Sequence, residues 1–244
     1  MNSTSELTIL ILFKGDTIRR IYNLIASVTH LLQFSNLHIY IREVDSFNHN
    51  LLPRLLPTNV YYEFVPDCDS ILHKTMHFNE MIRKVSTPFI GIWDTDVIPY
   101  NSAIKECFYQ LIEGQASLAL PYNGVCFDTS EIIADLYLKN YDFSILDQNK
   151  HLMKKLQSHR LTGGAVLMNR KDFLSIGAEN ENYYGWGDDD FDRYIRFMNA
   201  GLTIFRSKMP LFHLTHPRGF NSGFSSNIYA QNSKNELAKT INLL

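Results

Sequence analysis

The stretch Ile90-Gly91-Ile92-Trp93-Asp94-Thr95-Asp96-Val97-Ile98-Pro99 decides the fold of this 244-residue chain. An apolar run ends abruptly in two carboxylates that are separated by one residue. Burying even one unpaired charge costs on the order of several kcal/mol, so the interior of a strand disfavours this pair. We expect the strand to emerge at the edge of a sheet, where Asp94 and Asp96 hold a divalent cation against a pyrophosphate. An isolated Asp-x-Asp also fits a strand followed by an acidic turn.

Strand-like and helix-like segments alternate on both sides of this stretch. Continuous apolar runs are typical of strands that are covered on both faces, and a strand–helix–strand succession predicts a mainly parallel sheet flanked by helices. Ligands of such sheets bind beyond the carboxyl ends of the strands, where Asp94 and Asp96 would lie. The first half predicts strands at residues 7–13, 37–41, 60–65, 89–93 and 117–120, and helices after an Asp16 N-cap and at 71–85 and 103–112.

The second half is harder to interpret, and we predict a polar, aromatic connecting segment over residues 121–160. Its spacing predicts helices near 131–138 and 147–157, followed by a strand that ends near 168 and helices at 170–176 and 191–199. The tail over 217–235 is rich in Gly, Ser and Asn, which predicts a mobile loop.

The composition suits a globular α/β domain. Hydrophobic residues make up 45% and charged residues 20%, and the net charge of -2 gives no electrostatic reason to expect a nucleic-acid partner. No apolar run approaches the ~20 residues of a membrane span, and the opening residues lack the basic region of a secretory signal. The three cysteines have no metal-ligand spacing, so we expect a reducing, cytoplasmic setting.

A second polar motif is Gly185-Trp186-Gly187-Asp188-Asp189-Asp190, at the start of a predicted helix. Acids at a helix start can simply complement the helix dipole, at roughly 0.3–1 kcal/mol each. One acid would suffice for that, and three adjacent acids repel one another. A carboxylate here can instead deprotonate a hydroxyl group, and like-charged neighbours predict a pKa above the usual ~3.9. Both interpretations remain open from this motif alone.

The third motif is His213-x-x-His216-x-Arg218, which follows an apolar strand. Two such histidines can also end a strand and bind backbone groups. A mixed Asp and His site favours manganese or another transition ion over magnesium, which prefers all-oxygen shells. Arg218 can add positive charge beside a phosphate.

Together these motifs resemble a known family. Phe78-Asn79, the Asp-x-Asp stretch, Leu161-Thr162-Gly163-Gly164-Ala165, the Gly-Trp-Gly-acidic motif and the histidine motif occur in the order seen in GT-A glycosyltransferases. The resemblance covers residues 8–224 and is closest to the β-1,4-galactosyltransferases and the bacterial chondroitin-polymerase-type transferases.

The resemblance implies a role for each motif residue. Asp96, His216 and His213 would be metal ligands, with His213 at the position of a methionine ligand in the galactosyltransferases. Asp190 would be the general base. Asp189 would also act in the catalytic motif by binding the acceptor or donor sugar. The motif departs from the family's Gly-Trp-Gly-Gly-Glu-Asp at Asp188 and Asp189. Further donor contacts would be Asp94, Trp93, Asn79, Arg218, Gly163 and Gly164, and further acceptor contacts would be Trp186 and Tyr184.

The resemblance also implies a function. A single GT-A domain over residues 1–244 would have a nucleotide-sugar half (1–120) and an acceptor and catalytic half (121–244). It would use Mn²⁺ or another divalent cation to move a hexose or N-acetylhexosamine, with inversion, from a UDP-sugar to a glycan or glycolipid acceptor. The resemblance further implies a role in surface polysaccharide biosynthesis. The protein would then lie in the cytoplasm, in peripheral association with the inner face of the membrane. The alternatives are a retaining GT-A transferase, a metal-dependent nucleotidyltransferase or phosphohydrolase, and a sugar-binding module.

Overall fold

The computed structural model describes residues 6–35, 37–219, 221–224 and 226–242. Within these ranges the chain forms two sheets with helices packed around them. The strands are β1 (Leu7–Phe13), β2 (Leu37–Asp45), β3 (Tyr61–Pro66), β4 (Phe89–Trp93), β5 (Val97–Pro99), β6 (Leu118–Leu120), β7 (Cys126–Asp128), β8 (Lys154–Lys155), β9 (Ala165–Asn169), β10 (Ile204–Arg206) and β11 (Leu211–His213). The helices are α1 (Ile18–Leu31), α2 (Leu52–Leu55), α3 (Lys74–Lys84), α4 (Asn101–Ile112), α5 (Glu131–Asn140), α6 (Phe143–Asn149), α7 (Arg170–Ser175), α8 (Asp189–Asn199) and α9 (Asn227–Ile241).

The large sheet has seven strands in the order β10-β6-β9-β4-β1-β2-β3. Its strands run parallel except β9, which is antiparallel to both β4 and β6. The mainly parallel sheet flanked by helices is therefore confirmed. All seven residues of β1 are buried, as the continuous apolar run predicts for a strand covered on both faces.

The acidic pair lies where the chain passes from the large sheet to the small one. Asp94 directly follows β4, and its backbone N–H donates to the carbonyl of Gly164 at 2.7 Å. The chain then enters β5, which belongs to a four-stranded sheet of order β5-β11-β7-β8. Antiparallel pairing places His213 of β11 opposite Val97 of β5, and this register brings the histidine next to Asp96.

Two predicted boundaries in the chain are wrong. Helix α1 is capped by Thr17, whose hydroxyl accepts from the N–H of Arg20, while Asp16 pairs with the Arg20 guanidinium at 3.5 Å. Thr17 has the extended backbone that an N-cap requires. The helix predicted over residues 147–157 is also wrong, because α6 ends at Asn149, a short 3₁₀ turn follows, and the chain then extends into β8.

The tail predicted as a loop contains a helix instead. Ser226 caps α9 with its hydroxyl, and α9 continues to Ile241. The two buried residues on α9 are Ser233 and Thr240, so this helix packs through hydroxyl groups rather than an apolar stripe. Spacing of apolar residues therefore gave no helical signal there. Phe220 and Ser225, which belong to the same predicted loop, lie outside the described residues.

None of the helices in the described part of the chain is both long and apolar enough to cross a membrane.

Candidate active site

A cavity of about 780 Å³ opens at the carboxyl edge of the large sheet. Residues from both halves of the sequence line it. Among the predicted site residues, those that line it are Asp94, Asp96, Gly163, Gly164, Trp186, Asp190, His213, His216 and Arg218. The structure thus brings three motifs that are far apart in the sequence around one space.

Asp96, His213 and His216 form a cluster in which one ligand atom from each lies within 4.8 Å of the others. The Asp96 Oδ2 to His216 Nε2 distance is 3.1 Å, and the Asp96 Oδ1 to His213 Nε2 distance is 3.6 Å. All three side chains are buried, with at most 6% of each residue exposed. The residues that sequence reasoning chose as metal ligands therefore lie together.

Hydrogen bonds on the far side of each ring fix which nitrogen faces Asp96. His216 Nδ1 donates to the backbone carbonyl of Pro217 at 2.9 Å, and His213 Nδ1 lies 2.7 Å from Asp128 Oδ1. A carbonyl and a carboxylate both accept, so the proton sits on Nδ1 in each neutral ring and Nε2 keeps its lone pair. This is the arrangement that metal-binding histidines use, with an outer partner orienting the ring. Asp128 was not predicted, because no motif marks it.

The two carboxylates of the Asp-x-Asp stretch have opposite electrostatic surroundings. Burial favours the neutral acid at Asp96, but His213 and His216 outweigh it and hold its pKa below the usual range. Burial raises the pKa of Asp94 to about 6; the nearby charges of Asp96 and Asp190 add to the rise, and Lys74 opposes it. Asp96 is thus ready to ligate a cation as an anion.

Asp190 lies in the first turn of α8 and lines the same cavity. Its Oδ1 lies 3.0 Å from Arg193 Nη2 and its Oδ2 lies 3.9 Å from Lys74 Nζ. The carboxylate rests on Gly163, where an added Cβ would meet Oδ2 at 2.0 Å. Burial alone would raise the pKa of Asp190, but Lys74 and Arg193 hold it below the usual range. The predicted rise is therefore wrong for Asp190, because the charges of Lys74 and Arg193 outweigh the effect of burial.

The other acids of the motif have different surroundings. Asp189 is 2% exposed, is not among the residues that line the cavity, and pairs with Lys74 Nζ at 3.0 Å. Burial raises the pKa of Asp189 to about 7, although Lys74 opposes the shift. Asp188 lines the cavity and accepts a hydrogen bond from the hydroxyl of Ser233 at 2.8 Å. Asp188 and Asp190 therefore face this cavity, whereas Asp189 lies outside its lining.

Lys74 is the most important site residue that the sequence did not reveal. It is the first residue of α3, pairs with Asp189 and Asp190, and interacts electrostatically with Asp94. Burial opposes its charge, but the three carboxylates together raise the pKa of Lys74. A lysine at a helix start carries no recognisable motif. Arg193, by contrast, lies three residues after Asp190 on a predicted helix, a spacing that indicates an ion pair.

Besides Asp189, three predicted contact residues do not line the main cavity. Trp93 is fully buried within β4. Asn79 donates to the carbonyl and accepts from the N–H of Glu179, which anchors the segment that leads to the acidic motif. Tyr184 donates to the carboxylate of Asp69 and lines a second, smaller cavity. The side chains of Trp93 and Asn79 are thus used in the core and in the loop anchor, and their contacts to a donor remain predictions.

The architecture matches a solved structure over most of the chain. The structure is described as mannosyltransferase PcManGT from Pyrobaculum calidifontis in complex with GDP-Man and Mn²⁺. The match has a TM-score of 0.58 and 12% sequence identity, and it covers 90% of this chain and 59% of the mannosyltransferase. The chain has a GT-A fold.

Sequence comparisons connect this GT-A chain to galactosyltransferases, and the predicted resemblance is confirmed. A family model described as the N-terminal domain of galactosyltransferase matches residues 145–218. Human chondroitin sulfate N-acetylgalactosaminyltransferase 2 is 36% identical over 56 residues, which are 22% of this chain and 10% of the human protein. Mouse β-1,4-galactosyltransferase 4 is 31% identical over 96 residues, which are 35% of this chain and 27% of the mouse protein. The aligned regions thus cover between a tenth and about a quarter of these relatives.

The galactosyltransferase match contains the second half of the candidate site. Gly163, Gly164, the acidic motif and both histidines fall within residues 145–218, whereas Asp94 and Asp96 lie before it. In this GT-A chain, the fold brings the Asp-x-Asp stretch to the matched motifs.

Proposed function

We propose that this chain is a metal-dependent inverting glycosyltransferase that moves a hexose or N-acetylhexosamine from a UDP-sugar to a hydroxyl group of a glycan acceptor. One observation supports this proposal most strongly. A cluster of cation-ligating residues and an accessible carboxylate with two cationic partners line the same cavity, at the sheet edge where GT-A folds bind ligands. In this proposal, residues 1–120 bind the nucleotide sugar, and residues 121–244 supply the acceptor side and the base.

The ligand set of Asp96, His213 and His216 fits a divalent transition ion. The outer hydrogen bonds turn the Nε2 atom of each histidine ring toward Asp96, and Asp96 supplies carboxylate oxygens. Mixed imidazole and carboxylate donors suit manganese better than magnesium. When bound, such an ion would neutralise charge that develops on the leaving diphosphate. Arg218 and Arg20 also line the cavity, and their guanidinium groups can bind phosphate oxygens.

Asp190 is the best placed of the acids to act as the base. A general base must first reach the proton that it removes, and its pKa matters second. Asp190 lines the cavity, whereas Asp189 is buried behind Lys74. Lys74 and Arg193 keep Asp190 ionised, so it can accept the proton of an acceptor hydroxyl as that oxygen attacks the anomeric carbon. Asp94 lines the same cavity, interacts with the charges of both Asp96 and Asp190, and suits a contact to the donor.

Thermal unfolding with a panel of nucleotide sugars tests the donor part of this proposal. The panel contains UDP-linked hexoses and N-acetylhexosamines, with GDP-mannose for comparison, each with and without Mn²⁺. A ligand that binds only the folded chain at about 100 times its Kd adds about 2.7 kcal/mol of stability. We expect the largest rise in Tm with Mn²⁺ and one UDP-sugar together. Failure of every UDP-sugar to raise Tm, with and without Mn²⁺, would refute the donor assignment.

Product analysis separates the remaining candidate reactions. Proton NMR of the product gives its anomeric configuration. A product with the same configuration as the donor sugar would indicate a retaining GT-A transferase instead of an inverting one. Nucleotide release that needs no acceptor would instead indicate a nucleotidyltransferase or phosphohydrolase. Sugar binding without turnover would indicate a binding module. A role in surface polysaccharide assembly, a glycolipid acceptor and a cytoplasmic position at a membrane remain predictions from the resemblance.

A further inference from the structure

A second cavity of about 180 Å³ lies beside the candidate active site, between the 182–187 loop and helix α9. Sequence reasoning included Tyr184 and Trp186 among the acceptor contacts but did not include any residue of α9. The described residues that line this cavity are Asn182, Tyr183, Tyr184, Trp186, Gly187, Tyr229, Asn232 and Ser233. None of them carries a charge, so the cavity favours a neutral ligand.

The two cavities share one wall. Trp186 and Gly187 line both of them, and 42% of the Trp186 surface is exposed. The indole packs edge-on against Phe224, with the two ring centres 4.9 Å apart. A ligand that reacts at Asp190 and extends past Trp186 therefore enters the second cavity.

The lining has the chemistry that recognises a sugar ring. Tyr184 and Tyr229 lie 5.4 Å apart at an angle of 47°, and together with Trp186 they offer flat apolar surfaces for the C–H faces of a pyranose. The amides of Asn182 and Asn232 can both donate to and accept from sugar hydroxyls. Drug-sized ligands need about 300 Å³ or more, so a cavity of this size suits one ring.

The cavity is held in place by contacts between α9 and the acidic motif. Ser233 Oγ donates to Asp188 Oδ2 at 2.8 Å and accepts from the Asp188 N–H at 2.9 Å. Asn182 also donates to Glu236 on α9 at 3.2 Å. The second cavity is thus fixed relative to the motif that contains the proposed base.

We propose that this second cavity binds the sugar unit next to the acceptor sugar that receives the transferred residue. The inference rests on the proposed function. It predicts that the acceptor is a glycan of at least two sugar units and that helix α9 contributes to the choice of acceptor through Tyr229 and Asn232.

Acceptor length is the variable that tests this inference. The full chain with Mn²⁺ and its UDP-sugar is assayed with methyl glycosides of glucose, galactose, N-acetylglucosamine and N-acetylgalactosamine. The same assay uses disaccharides that carry each of these sugars at the non-reducing end. We expect kcat/KM for the preferred disaccharide to exceed that of its terminal methyl glycoside by about tenfold, the scale of one aromatic contact. The Y229A and N232A variants should each reduce this ratio to within about threefold.

Matched controls lie on the same helix. Ile228 and Asn235 are on α9 but do not line either cavity, so I228A and N235A should keep the wild-type ratio. Equal rates for mono- and disaccharides would overturn the inference, as would a length preference that survives in both Y229A and N232A. Absence of transfer to every acceptor would refute the proposed function itself. Transfer without length dependence would refute only the second subsite.

Discussion

Asp190 shows how strongly one residue depends on its partners. Its position in an acidic run suggests a raised pKa, yet Lys74 and Arg193 lower it. Gly163 leaves the space that the carboxylate occupies. Access, ionisation and position of this side chain are therefore set by three residues outside its own motif.

Replacing Asp190 by Asn should remove the proposed base while keeping the size of the side chain. We expect kcat to fall by about 10²–10⁴-fold, the usual contribution of a general base, with little change in donor binding. Steady-state kinetics and the donor-induced rise in Tm measure the two effects separately. The control is D135N, since Asp135 is an exposed acid on α5. A D190N enzyme with near-normal turnover would remove Asp190 as the base.

Replacing Gly163 by Ala tests the space under Asp190. The new Cβ would meet Asp190 Oδ2 at 2.0 Å, so the carboxylate must move. We expect kcat to fall by at least about tenfold, because misplacing a catalytic group by about 1 Å can reduce the rate by about 10²-fold. Gly223, with open space around its Cβ position, provides the control G223A. Equal kinetics for G163A and wild type would show that Asp190 need not hold this position.

Asp128 orients His213 from the side away from Asp96. Replacing it by Asn removes the charge of the acceptor that holds the Nδ1 proton. Outer-shell changes of this kind typically weaken metal affinity by about 10–100-fold. Isothermal titration calorimetry with Mn²⁺ alone should show this loss in D128N and not in D135N. An unchanged Mn²⁺ affinity in D128N would mean that Asp128 does not support the ligand.

At the scale of elements, helix α9 is held by hydroxyl groups. Ser233 bonds to Asp188 at the start of α8, and Thr240 Oγ1 donates to Asp192 Oδ1 at 2.5 Å further along α8. Asn199, at the end of α8, donates to the Thr240 carbonyl at 3.0 Å. These bonds explain why a helix with a weak apolar pattern still packs at a defined position.

The S233A variant should loosen α9 and the acidic motif together. Loss of one buried hydrogen bond costs about 1 kcal/mol, and here the same hydroxyl both donates and accepts. We expect faster amide hydrogen exchange in α9 and at residues 187–189, measured by mass spectrometry. Lys234 is exposed on the same helix, and K234A should exchange like wild type. Faster exchange confined to α9 would show that the acidic motif does not depend on this contact.

At the scale of the whole molecule, His30 joins α1 to the small sheet. It is 1% exposed, its Nε2 lies 2.8 Å from the carbonyl of Pro99, and its ring stacks on Phe143 at 5.6 Å. Burial lowers the pKa of His30 to about 4, although the bond to Pro99 opposes the shift. The folded chain therefore binds this proton less tightly than the unfolded chain does.

This difference predicts an acid-sensitive stability. As the pH falls below about 6.5, the unfolded state gains a proton that the folded state does not accept until about pH 4, so the free energy of unfolding decreases. The loss from this residue is about 2 kcal/mol between about pH 7.5 and pH 5. The H30Q variant keeps a donor for the Pro99 carbonyl but has no group that titrates in this range. Urea unfolding should show that its free energy of unfolding falls by about 2 kcal/mol less than that of the wild type over the same pH interval. Exposed His49 provides the control H49Q. Identical pH profiles for H30Q and wild type would contradict this assignment.

The sequence by itself determined the parallel sheet, the position of Asp94 and Asp96 at a strand end, and the acidic and histidine motifs. Those features are local, because the period of apolar residues and the spacing of polar ones are properties of short segments. Only the tertiary structure decided that Lys74 and Arg193 lower the pKa of Asp190, that Asp128 supports His213, and that α9 completes a second cavity. Each of these depends on which side chains meet across the fold. The balance of charges around a buried group is fixed by those distant neighbours and not by the motif that contains the group.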